Sequence, residues 1–171
     1  CKEIVKKPVV LIGNSIGGVI ALRTCQILEQ DCCGIILINC AQRTMDDKQL
    51  TKISSPTKLL RPLLKNIIQK RWLSKNLFNI IARPSFIEKI LKIAYPTGKN
   101  LNKDLVYMLY QPTKRNGAPE AFRGFINIFN DYLAPDLMKD INIKVNIIWG
   151  ENDPWESLEE AQRWMQVFNC V

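Results

Sequence analysis

The 171-residue sequence contains no histidine. A zinc site would therefore have to be built from cysteines and carboxylates alone. No apolar run approaches the roughly 18 residues needed to cross a bilayer, which argues against a transmembrane helix. Eight glycines and nine prolines are too few for a fibrous or low-complexity chain. The six cysteines (Cys1, Cys25, Cys32, Cys33, Cys40 and Cys170) form no C-x-x-C pair and lack the spacing of a disulfide framework. They read as small buried hydrophobes in a reducing compartment. Neither a metal nor a cofactor is expected.

Hydrophobic residues make up 47% of the chain and charged residues 23%, the balance of a folded domain with one substantial core. The formal charge of +8, from 24 basic and 16 acidic side chains, is unevenly spread. Residues 41–141 hold 18 basic and 8 acidic side chains, while the remainder holds 6 and 8. The basic middle faces an anionic partner or is a solvated face. No RNP-type aromatic motif, zinc site or recognition-helix pattern accompanies the charge, so a nucleic-acid partner is not expected.

The run Lys7-Pro-Val-Val-Leu-Ile-Gly13 is short, apolar, β-branched and closed by glycine, and predicts a strand buried on both faces of a parallel sheet. Helical spacing follows over 16–30 (Val19, Leu22, Cys25, Leu28), then a second buried strand from Cys33 to Cys40. Strand, helix and strand make a βαβ unit. A third strand, Lys144 to Gly150, comes about a hundred residues later, with a helix expected from about Pro154 to Phe168. The interval reads as helical, over 57–73, 75–82, 85–94, 101–110 and 118–133. The segment 57–73 is basic and amphipathic: Leu59, Leu60, Leu63, Leu64, Ile67 and Ile68 interleave with Lys58, Arg61, Lys65, Lys70 and Arg71. Three parts follow from this pattern: core residues 1–41, a helical insertion over 42–141, and core residues 142–171.

First strand and helix meet at Gly13-Asn14-Ser15-Ile16-Gly17-Gly18, a G-x-S-x-G between a strand and a helix. A turn this tight forces the serine into a strained backbone, and Gly13 and Gly17 are expected to be small to avoid collision. Ser15 is thereby lifted to the helix N-terminus, where the Ile16 amide can stabilise an oxyanion. A glycine-rich turn that binds phosphate, or nothing, is the plainer alternative. The dinucleotide fingerprint G-x-G-x-x-G fails because position 15 is serine. A serine nucleophile needs a base, and the base needs an orienting acid. Asp153, just past the third strand in Trp149-Gly-Glu-Asn-Asp-Pro-Trp155, is the acid candidate, with Glu151 as its competitor. Asp153-Pro154-Trp155-Glu156 also reads as a helix start with Asp153 as its cap.

The elbow Gly13–Gly18, the strand end Leu37-Ile-Asn-Cys-Ala41 and the Trp149–Trp155 run resemble the α/β-hydrolase superfamily. Within it they resemble the plant, algal and cyanobacterial branch that includes pheophytinase and chlorophyll dephytylase. That resemblance implies a partial α/β-hydrolase fold, a parallel sheet with a helical lid inserted between two strands. It implies Ser15 as nucleophile, Asp153 as triad carboxylate, and a histidine after the next strand, beyond Val171. It places earlier strands, and the second oxyanion donor, before Cys1, so the sequence is expected to be part of a longer hydrolase domain. The substrate implied is a small-molecule ester, apolar and of the chlorophyll phytyl type, in the cytoplasm or a plastid. The basic insertion would then make peripheral contact with an anionic membrane. The alternative is a non-catalytic protein of the same fold that binds a ligand or partner. Oligomeric state is not legible.

Overall fold

The computed structural model describes residues 3–41, 71–131 and 133–171. The chain divides into two units, residues 1–44 with 131–171 and residues 45–130.

In the first unit, strand β1 (Val9–Asn14) is followed by helix α1 (Ile16–Leu28), a turn of 3₁₀ helix (Glu29–Asp31) and strand β2 (Cys32–Ile38). Both strands are apolar runs too short for a helix, and the crossover helix between them makes them parallel. Leu11 pairs with Ile35 and Asn14 with Ile38. Strand β3 (Val145–Ile148) lies on the other side of β2, again parallel, with Ile38 opposite Ile148. Beyond β3 the chain returns alongside it. The Val145 amide donates to the Asn169 carbonyl at 3.1 Å, and the Ile147 and Val171 amides donate to Val171 and Val145 carbonyls at 2.8 and 3.0 Å.

Helix α1 covers one face of this sheet. Leu22, Ile35 and Leu37 are completely buried there, with Val19 and Val145 close to it. Each such side chain is worth roughly 1.5–3 kcal/mol of burial. The expectation that the strands are buried on both faces does not hold. Val10, Ile12 and Ile148 are 52%, 64% and 55% exposed. The pleat explains this: side chains alternate along a strand, and the register puts Val10, Ile12, Ile36 and Ile148 on the face opposite α1. That face stands open among the described residues.

A short helix, α6 (Ala134–Met138), packs against α1, where the Gln26 side chain donates to the Leu137 carbonyl at 3.0 Å. Its few residues left no helical periodicity to read. The last helix, α7 (Leu158–Val167), buries Ala161 and Trp164. Trp164 meets Trp149 edge-on, ring centroids 5.8 Å apart, and its indole N–H reaches Glu160 at 3.1 Å. Glu160, buried, is also paired with Arg163 at 2.7 Å.

The second unit is helical where described: α2 (Arg71–Ile81), α3 (Pro84–Ala94), α4 (Lys103–Tyr110) and α5 (Ala118–Asp131). Most of the amphipathic run expected over 57–73 lies outside the described residues. Its end is continuous with the next helix, because nothing at Ser74 interrupts α2. Pro84 opens α3 at a position where its missing N–H costs nothing. Asn102 caps α4, its side-chain oxygen accepting from the Leu105 amide at 2.7 Å. The Phe78 and Phe122 rings meet at a tilt of 51°, 5.5 Å between centroids.

Candidate active site

Ser15 follows β1 directly and caps α1, with φ 52° and ψ −121°. A non-glycine residue at positive φ costs of order 1–3 kcal/mol and persists only where its surroundings over-determine it. Here they do. The Ser15 amide donates to the Ile38 carbonyl at 3.0 Å, and its carbonyl accepts from Gly18 at 3.0 Å and Ala41 at 3.1 Å. The Asn14 side chain also reaches the Ile38 carbonyl, at 3.1 Å. Tied to the ends of β2 and α1 at once, the Ser15 backbone cannot relax. The side chain makes no cap hydrogen bond and is exposed. Ile16 is the first residue of α1, so its amide is among those no helix carbonyl can reach.

The two elbow glycines differ. A Cβ on Gly13 would overlap the backbone of Gly17 and Gly18. A Cβ on Gly17 would meet nothing within 4 Å, so the crowding expected there is absent. It falls instead on Gly18, where a Cβ would come within 2.5 Å of the Cys40 sulfur. Position 17 points into open space on the first turn, while 18 turns toward the sheet. Gly13→Ala in the full-length protein is expected to lower stability by about 1–3 kcal/mol or more, as overpacking does. Urea unfolding checks this, and an unchanged midpoint would contradict the turn described.

Asp153 lies in the loop after β3. One carboxylate oxygen, Oδ1, accepts the Trp155 and Glu156 amides at 2.7 and 2.9 Å, and Oδ2 accepts from the Asn39 side-chain amide. Partial burial alone would raise its pKa, but the hydrogen bonds from Glu156, Asn39 and Trp155 outweigh it and hold the carboxyl below its ordinary value. The helix expected from Pro154 begins only at Leu158, with Ser157 at its cap. Asp153 accepts the two amides as a cap residue would, but the Trp149 indole takes the Glu156 carbonyl at 3.0 Å and the Glu160 amide goes to the Ser157 carbonyl instead, at 3.2 Å. Glu151 is exposed, and its carboxylate makes no hydrogen bond or ion pair among the described residues.

Both candidates thus stand at the carboxyl edge of one parallel sheet, Ser15 after β1 and Asp153 after β3, the edge where α/β proteins gather ligand-binding residues. A family model described as serine aminopeptidase, S33, matches residues 1–166. The chain belongs to this α/β-hydrolase family. No curated protein matches it. The hydrolase's parallel sheet and flanking helices are a part of that fold.

One residue of this hydrolase escaped sequence reading. Asn39 directly follows β2, between the strands that carry Ser15 and Asp153, at φ 44°. Its backbone amide donates to Ile148, and its side chain bonds both Asp153 and the Gly150 amide. An asparagine closing a buried apolar run at this edge was the available signal. The buried thiols of Cys25 and Cys40 are poor rivals as nucleophiles. Burial, with Glu156 nearby, pushes Cys40 up to about 12, and burial with Cys32 does the same to Cys25.

Proposed function

We propose that the protein is a serine hydrolase of carboxylic esters, with Ser15 as nucleophile and Asp153 as the carboxylate that orients the base. The observation that carries this reading is the over-determined backbone of Ser15 at φ 52° on the strand-to-helix turn. Strain retained at a solvent-exposed hydroxyl beside a helix N-terminus serves chemistry better than folding.

In the proposed reaction the Ser15 oxygen attacks the ester carbonyl carbon and its proton passes to a histidine base. The oxyanion forms against the Ile16 amide. The alcohol leaves with that proton, giving an acyl-enzyme, and water then releases the acid by the same steps. No histidine stands among these 171 residues, so the proposed base is not one of them. Spacing supports the arrangement. Two strand separations are roughly 9–10 Å, and an imidazole with a hydrogen bond at each end needs about 8 Å.

The family description names aminopeptidases, and the same chemistry cleaves amides. An aminopeptidase must hold a substrate ammonium, which the 18 basic against 8 acidic side chains of residues 41–141 oppose. That charge suits an apolar ester, such as a long prenyl-type alcohol ester, taken from an anionic membrane by the basic insertion over 42–141. The full-length protein is expected to cleave long-chain esters in preference to aminoacyl anilides. It should do so faster in anionic than in neutral vesicles, with the advantage lost at high salt. Preference for the anilides would overturn the ester reading. Indifference to both lipid charge and salt would remove the membrane part alone.

A further inference from the structure

The side chain of Asn39 spans from the end of β2 to the loop after β3 at two points. Its oxygen accepts from the Gly150 amide at 3.2 Å, and its NH₂ donates to Oδ2 of Asp153. The orientation of the amide is dictated by this pairing. The Gly150 N–H can only donate, so the oxygen must face it and the nitrogen must face the carboxylate. The residue is also anchored by its own backbone, whose amide donates to Ile148 at 3.0 Å, and by a left-handed φ of 44° that asparagine tolerates better than most residues.

A carboxylate offers about four lone-pair sites. Two on Oδ1 of Asp153 are taken by the Trp155 and Glu156 amides, and one on Oδ2 by Asn39. Among the described residues the remaining site, on Oδ2, is unfilled. An ammonium or guanidinium in place of Asn39 would hold the carboxylate equally well, but would cancel the negative charge an imidazolium needs. A neutral amide holds it without cancelling it.

We infer that Asn39 is a positioning residue: it fixes the rotation of the Asp153 carboxylate so that one lone pair of Oδ2 faces the catalytic base. This rests on the reading of Ser15 and Asp153 given above.

The test is a set of variants of the full-length protein, followed by the rate of fluorophosphonate labelling and by kcat/KM on an ester. Asn39→Gly keeps the positive φ without strain and removes the amide. Asn39→Asp keeps the shape and removes the donor. Both are expected to slow labelling and turnover about ten- to a hundredfold, as loss of an outer partner does elsewhere, with KM little changed. The decisive comparison is Asn39→Gly in an Asp153→Asn background. If Asn39 acts through Asp153, the second change adds little to the first. Independent, multiplying losses, or Asn39→Gly at the wild-type rate while Asp153→Asn is slow, would overturn the inference and leave the hydrolase reading standing. Labelling that survives Ser15→Ala would instead remove the reading beneath it. Circular dichroism and thermal melts of each variant separate these outcomes from misfolding, and Asn39→Asp serves if Asn39→Gly does not fold.

Discussion

Ser15→Ala in the full-length protein is expected to abolish ester turnover, a loss of roughly 10⁶-fold in kcat where a serine nucleophile is removed from a working triad. The fold should survive. The Ser15 side chain makes no cap hydrogen bond, and everything that holds the turn is backbone: the Ile38, Gly18 and Ala41 contacts persist with any side chain at 15. Alanine at φ 52° is no worse placed than serine. Thermal stability should therefore change by less than about 1 kcal/mol, since the only loss is one exposed hydroxyl. Unchanged turnover would mean that the strained turn serves something other than nucleophilic attack.

Asp153→Asn is expected to lower turnover by roughly 10⁴-fold, the loss met when a triad carboxylate becomes an amide that orients the wrong tautomer. The side-chain oxygen of the introduced asparagine could still accept the Trp155 and Glu156 amides, so the loop should keep its shape. Its other atom would be an NH₂ facing the NH₂ of Asn39, and that hydrogen bond would be lost. A variant that is fully active but about 1 kcal/mol less stable would reduce Asp153 to a turn former. The pH dependence has a definite sign. The folded pKa of Asp153 lies below its ordinary value, so the unfolded chain binds that proton first as pH falls. Its contribution to stability is therefore complete above the ordinary carboxylate pKa and is lost as pH drops through the folded one. Acid unfolding of wild type and Asp153→Asn should differ in that window. The rate limb near neutrality belongs to the base, because Asp153 is ionised throughout it.

The elements that were legible are those whose information is local. Lys7–Gly13 is an apolar β-branched run stopped by glycine, and α1 follows with its apolar stripe, so strand, turn and helix could be read without tertiary knowledge. Ser15 came with them, because a turn this tight admits few residue types. The start of α7 could not be read. Asp-Pro-Trp-Glu favours a helix locally, and Asp153 does accept the Trp155 and Glu156 amides as a cap would, but the Trp149 indole claims the Glu156 carbonyl that the first turn would need. The open sheet face was hidden because an apolar strand reads the same whether one face or two are covered. The role of Asn39 is not legible for a different reason, although the asparagine itself closes an apolar run. Its partners are more than a hundred residues away, and only the pairing of Ile38 with Ile148 brings them to it.

The central claim is that the Ser15 hydroxyl becomes acylated, and it can be read directly. Full-length protein treated with a fluorophosphonate, digested and mapped by mass spectrometry should carry the adduct on the peptide containing Ser15, at that residue, and the Ser15→Ala protein should carry none. An adduct at any other residue, or none at all while ester turnover persists, would contradict it.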